Sequence, residues 1–139
     1  MAKQASAVAD AWALKCRKRA LAIFRESVQR TIEEAQTPVA KGGKMRVDTG
    51  FLRGSGAASL TGMPTGPRRP IEEGATFDFL GDGVTLTIGR AQLGDTIFFG
   101  WSAEYARARE AQDGFLRSAA QNWRPTVAKV TQEAKARIR

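Results

Sequence analysis

Apolar side chains recur every four residues through the first quarter of the chain, at Trp12, Cys16, Ala20, Phe24, Val28 and Ile32. Leu21 and Ile23 widen the stripe, while Lys15, Arg17, Lys18, Arg25 and Arg30 fall mostly off it. This is the spacing of one helical face, so it predicts a single long amphipathic helix over residues 1–37. Thr37-Pro38 ends it, because proline pushes the residue before it away from helical geometry.

The remainder reads as shorter elements separated by breakers. Residues 38–50 form a basic, glycine-bearing loop. Leu52 to Leu60 is a weak strand, made irregular by Gly54 and Gly56. Thr61 to Gly74 carries Gly62, Pro64, Gly66, Pro67 and Pro70 and is a loop. Both loops, 38–50 and 61–74, are expected to be mobile. Phe77 and Phe79 alternate with polar residues, as do Val84, Leu86 and Ile88, and Gly81-Asp82-Gly83 lies between them. That pattern predicts a β-hairpin. Turn residues from Gly89 to Asp95 lead to a short strand at Thr96 to Phe99, then a short helix from Trp101 to Ala111 that Gly114 breaks. Phe115, Leu116, Ala119 and Trp123, followed by Val127, Val130, Ala134 and Ile138, give a last helical segment with a kink or restart at Pro125. The expected architecture is one α+β domain over residues 1–139: a long N-terminal helix, a small antiparallel β-sheet, a short helix and a C-terminal helix.

Composition narrows the chemistry. The 139 residues contain no histidine and a single cysteine, Cys16. An internal disulfide is therefore impossible, and the chain suits a reducing cytoplasm. The commonest general base, metal ligand and pH switch are missing together. Glu33-Glu34 and Glu72-Glu73 are adjacent pairs whose side chains point apart, so neither converges on one ion. Gly42-Gly43-Lys44 lacks both the upstream glycine and the following Ser or Thr of a phosphate loop. Cys16 lies on the apolar stripe and reads as a small buried hydrophobe without a basic partner. No catalytic, cofactor-binding or metal site is expected, and the chain is not expected to be an enzyme. No apolar run is long enough for a membrane span, and Met1-Ala2-Lys3-Gln4 does not open a signal peptide, so a soluble protein without membrane partners is expected.

The formal net charge is +8, which points to an acidic partner, either nucleic acid or an acidic protein surface. The charge is segmented. Residues 38–70 carry six basic and one acidic group, residues 71–113 three basic and eight acidic, and residues 114–139 six basic and one acidic. An acidic middle between basic flanks suits pairing within one copy or between neighbouring copies. Lys41, Lys44, Arg46, Arg53, Arg68 and Arg69 around the loops, with Arg117, Arg124, Lys129, Lys135, Arg137 and Arg139 in the last segment, could neutralise phosphates. No nucleic-acid-binding motif accompanies them, so any such contact would be non-specific.

One stretch carries a family resemblance. Val47-Asp48-Thr49-Gly50-Phe51-Leu52-Arg53-Gly54-Ser55 resembles the "V-D-T-G-x-L-R-x-S" segment of the tail-completion, neck or head–tail joining proteins of long-tailed bacteriophages, where it follows a long helix and opens the sheet. Phe99 to Glu110, with Tyr105 and Glu110, is similar to that family's later "Y-A…E" element. Gly114 to Ala119, with Phe115, looks like the start of its final helix. The family usually has a glycine directly after the glutamate. Here Ala111-Gln112-Asp113-Gly114 follows Glu110, which implies a differently shaped turn.

The resemblance implies a structural virion protein that forms a ring, six copies being expected, between the head connector and the tail tube. Its partners would be itself, neighbouring neck or connector proteins and tail-tube or tail-terminator proteins, with DNA passing through the lumen. The ring would be assembled in the host cytoplasm and retained in the virion. The alternative is a non-specific nucleic-acid-binding accessory protein. The motif also has a physical reading: Asp48 or Thr49 accepts a backbone N–H, Gly50 takes a positive φ, Leu52 enters the core, and Arg53 bridges to a carboxylate or serves an interface. Tyr105 is expected to bury its ring.

Overall fold

The computed structural model describes residues 2–138; Met1 and Arg139, the latter counted above with the basic residues of the last segment, lie outside the described residues. The first helix, α1, runs Ala2–Gln36. After it come a 3₁₀ turn Val39–Lys41, a one-turn helix α2 Phe51–Gly54, strand β1 Gly56–Ser59, helix α3 Asp82–Arg90 and strand β2 Phe98–Trp101. Helices α4 Ala106–Asp113, α5 Phe115–Gln121 and α6 Trp123–Arg137 complete the chain. The fold is α+β, with β1 and β2 paired antiparallel in the register Gly56↔Trp101 to Ser59↔Phe98.

The long helix forms as its pattern predicts, but the four-residue stripe does not mark one buried face. A step of four residues overshoots a 3.6-residue turn by about 40°, so the stripe drifts about halfway round the helix between Trp12 and Ile32. Ile32 is buried, whereas Trp12 is 69% exposed. Cys16 is partly and not fully buried, which corrects its reading as a buried residue. Helix α6 lies antiparallel along one side of α1. There Arg30 bridges Glu26 on its own helix and Glu133 on α6. Its hydrogen bond to Arg30 holds the Glu133 carboxyl below the usual carboxylate range, and the same bond raises the Arg30 guanidinium. Helix α3 packs on the other side, where Val84 and Ile88 close over Ile32 with Val28, Ala58, Phe79, Ile97 and Phe99 around them.

The expected hairpin over Phe77 to Ile88 is not there. Residues 77–80 belong to no strand, and Gly81, with φ 78°, stands at the start of α3. Val-Thr-Leu-Thr-Ile satisfies both a two-residue and a four-residue period, and packing decides between them. Val84 and Ile88 are each 4% exposed, while Leu86, which an amphipathic strand would bury with them, is 61% exposed. The sheet instead joins the weak strand expected at Leu52 to Leu60, shortened to Gly56–Ser59, and the short strand expected at Thr96 to Phe99, shifted by two residues to Phe98–Trp101.

The helical restart near Pro125 falls at Asn122, and Pro125 sits in the first turn of α6, where a missing N–H costs no intrahelical bond. The second core cluster comprises Met45, Phe51, Leu52, Ala103 and Phe115, flanked by Phe77, Trp101 and Ala106. Among the described residues, no helix is long and apolar enough to cross a membrane.

The motif corner and its groove

Residues 47–55 form the corner through which the chain passes from α1 and its following loop into the sheet. Thr49 works as a clamp at two points: its Oγ1 accepts the Phe51 N–H at 3.3 Å, and its carbonyl accepts the Phe77 N–H at 2.8 Å. Gly50 is buried with φ 86°, a conformation that costs an L side chain about 1–2 kcal/mol. Phe51 and Leu52 then turn into the core at 4% and 5% exposure. Ser55 closes the corner. Its hydroxyl donates to the Leu52 carbonyl at 2.7 Å and accepts the Ala103 N–H at 3.3 Å, tying α2 to the chain that leaves β2.

Arg53 does not bridge to a carboxylate. Its Nε donates to the Gln36 carbonyl at the C-terminal end of α1, 2.7 Å away, and its guanidinium lies 5.4 Å from the Phe79 ring centre. The helix end carries partial negative charge, so the cation is matched there without an acidic partner. Gln36 answers in kind: its side-chain NH₂ donates to the Arg53 carbonyl at 2.9 Å, and its side-chain oxygen accepts the Trp101 indole N–H at 2.8 Å. Gln36 is 1% exposed, and this buried amide joins α1, the motif and β2. Sequence reasoning missed it, because a glutamine before Thr37-Pro38 looks like a surface residue of a fraying helix.

That amide yields a direct expectation. Gln36→Leu strips a partner from both the Trp101 N–H and the Arg53 carbonyl, at about 1–3 kcal/mol for each buried group left unpaired. Chemical denaturation should therefore show a loss of several kcal/mol, against a change within about 0.5 kcal/mol for Gln132→Leu on the exposed side of α6. Equal midpoints for the two variants would mean that the Gln36 amide is not a structural joint.

The remaining candidates are more dispersed. Asp48 is exposed. Tyr105 is 37% exposed, which corrects the expected buried ring; it precedes α4 with its ring centre 6.4 Å from that of Phe51. Glu110 holds the start of α5, its two carboxylate oxygens accepting the Leu116 and Arg117 N–H groups at 2.8 and 2.9 Å. The turn after it is made by Gly114, with φ 67°, four residues beyond the glutamate. Phe115 is buried at 2% exposure and meets Trp101 edge to face at 5.0 Å.

Asp48, Thr49, Gly50, Leu52 and Arg53 line one groove of about 600 Å³, and Tyr105, Arg109 and Gln112 of the α4 region form its other wall. Ser55, Glu110 and Phe115 do not line it. Arg46 at its rim is committed to Asp113 at 2.8 Å and to Gln112 at 2.8 Å. Arg69 pairs likewise with Glu104 at 2.8 Å, so both ion pairs join the basic segment 38–70 to the acidic middle within one copy. The groove thus sets Arg46, Arg53 and Arg109 beside the rings of Phe51 and Tyr105. Among the described residues, no three Cys, Asp or Glu side chains come together as a metal-binding group. No protein-family model, curated protein or solved structure matches this chain.

Proposed function

We propose that the chain is a structural subunit of the neck of a long-tailed bacteriophage, forming a closed ring that joins the head connector to the tail tube. The observation that supports this reading is the setting of residues 47–55, which follow a 35-residue helix, form the corner and lead into β1. That is the order of elements the family resemblance carries. The polar side chains of Thr49, Arg53 and Ser55 hold the fold, and the proposed role is binding and assembly rather than catalysis. Copies would meet through different surfaces and close by rotation, as heterologous contacts do. Six copies would match a hexameric tube, with connector proteins on one side and tail-tube or terminator proteins on the other. DNA would pass through the lumen without sequence-specific contact, and the ring, assembled in the host cytoplasm, would remain in the virion.

The test is the mass of the purified protein by light scattering with negative-stain imaging, alone and mixed with phage tail tubes. Rings or capped tubes are the expected result. A monomer that leaves tubes uncapped yet retains DNA in a steeply salt-dependent way would overturn the reading in favour of a nucleic-acid-binding accessory protein. Arg46, Arg53 and Arg69 weigh against that alternative, since each guanidinium already has a partner within its own chain.

A further inference from the structure

Helix α1 is longer than the structure that covers it. Its C-terminal half runs beside α6: Asn122 donates to Glu34 at 2.6 Å, Arg30 pairs with Glu133, and the Arg19 side chain donates to the Ile138 carbonyl. At Ile138, therefore, the described part of α6 has come level with residue 19. Residues 2–18 continue for about 25 Å past that point at 1.5 Å per residue, and every residue from Ala2 to Trp12 is exposed. At 100° per residue, Ala5, Val8, Ala9 and Trp12 prolong the face that carries Arg19, Arg30 and Glu34 against α6. They line a shallow groove of about 560 Å³, with Val8 70% and Trp12 69% exposed. Up to Arg19 the helix carries Lys3, Lys15, Arg17, Lys18 and Arg19 against Asp10 alone. A tryptophan on so exposed an apolar face marks a contact surface.

A surface of opposite character lies on the far side of α1. Between β1 and residues 78–87 is a groove of about 490 Å³ with Ala58, Phe79, Leu80 and Val84 among its apolar lining. The charged residues lining it are Asp78 and Asp82, and Leu80 is 82% exposed. From residue 71 to residue 95 the chain carries Glu72, Glu73, Asp78, Asp82 and Asp95 against Arg90 alone. This groove adjoins α3, which packs on α1 at Ile32. Ile32 is about 30 Å along the helix from Trp12 and on the opposite side of it. One copy cannot bring its own stripe to its own groove.

We propose that the two surfaces are the halves of one contact between copies: the projecting half of α1 of one subunit lays its Ala5–Trp12 face into the Asp78–Leu80 groove of the next. The Trp12 indole meets the apolar floor at Phe79 and Leu80, and Lys15 beside the stripe faces the Asp78 and Asp82 carboxylates. The occupant is a second copy because the two charge patterns are complementary and every subunit carries each surface once. Such a contact is head-to-tail, the kind that closes into a ring. It deepens the neck-ring reading and rests on it.

Two variants of the full chain test it, both altered only at exposed positions: Val8→Ser/Trp12→Ser, which blocks the helix face, and Asp78→Lys/Leu80→Lys, which blocks the groove. Circular dichroism checks that each folds. Each variant alone should associate at least about thirtyfold more weakly than wild type, the effect of losing an aromatic anchor. Mixed in equal amounts they should form a 1:1 dimer that grows no further, since each supplies the surface that the other lacks. Variants that assemble like wild type, or a mixture that stays monomeric where wild type assembles, would overturn the contact. Adding tail tubes separates the two readings. If both variants cap tubes as well as wild type, this contact is wrong and the ring stands. If wild type neither self-associates nor caps tubes, the ring reading has failed and takes this contact with it.

Discussion

Gly50→Ala should lower the melting temperature by roughly 14 °C, between about two and three times the loss from Gly42→Ala. The two glycines share a backbone conformation, with φ 86° and 90°, and differ in what surrounds them. At Gly42 a Cβ would meet nothing within 4 Å; at Gly50 it would run into the Phe77 carbonyl oxygen, with the carbonyl carbon 3.2 Å away. Both substitutions impose the left-handed cost of about 1–2 kcal/mol. At Gly50 an overpacking cost of about 1–3 kcal/mol is added, towards its upper end because the obstruction is main chain. Residue 77 cannot retreat without stretching its N–H bond to the Thr49 carbonyl, which holds at 2.8 Å. At about 3–4 °C per kcal/mol for a chain of this size, the two effects separate clearly in a thermal melt. Equal losses at the two positions would show that the corner does not approach residue 77 closely.

That pair of glycines shows what a sequence can and cannot disclose. A glycine after Asp48-Thr49 announces a turn, and the turn is there; which main-chain atom presses on it depends on residue 77, 27 positions away. The helix over Ala2–Gln36 was legible because its pattern is local and long. Its covering was not, since a four-residue period drifts round the helix and leaves open which turns gain a neighbour. At Val84 to Ile88 the local code is ambiguous by construction, and only contact with Ile32 selects the helix. The buried Gln36 amide gives no local signal, because its partners, Arg53 and Trp101, become neighbours only once the sheet has paired. Glu110 was singled out by resemblance, but its task of capping α5 follows from the distance to Gly114 and was not read from the residues.

Phe115→Ala is expected to be the most damaging single truncation, at about 3–5 kcal/mol for an aromatic ring removed from a packed core. Phe115 starts α5 and fills the space between Met45, Phe51, Leu52 and Ala103. Its ring also meets Trp101 edge to face at 5.0 Å, on an indole that Phe99 contacts at the same distance. The indole N–H is fixed in turn by Gln36. The truncation therefore opens a cavity and loosens the seat of Trp101, so it should not act independently of Gln36. A double-mutant cycle of Phe115→Ala with Gln36→Leu should give a combined loss smaller than the sum, by about 0.5 kcal/mol or more, because each change already disturbs the same indole. Leu116→Ala, one residue on and 44% exposed, is the matched control and should cost under about 1 kcal/mol. Denaturant midpoints decide both points. Strict additivity would mean that α1 and α5 hold Trp101 separately, and a Phe115→Ala loss no greater than that of Leu116→Ala would remove Phe115 from the core altogether.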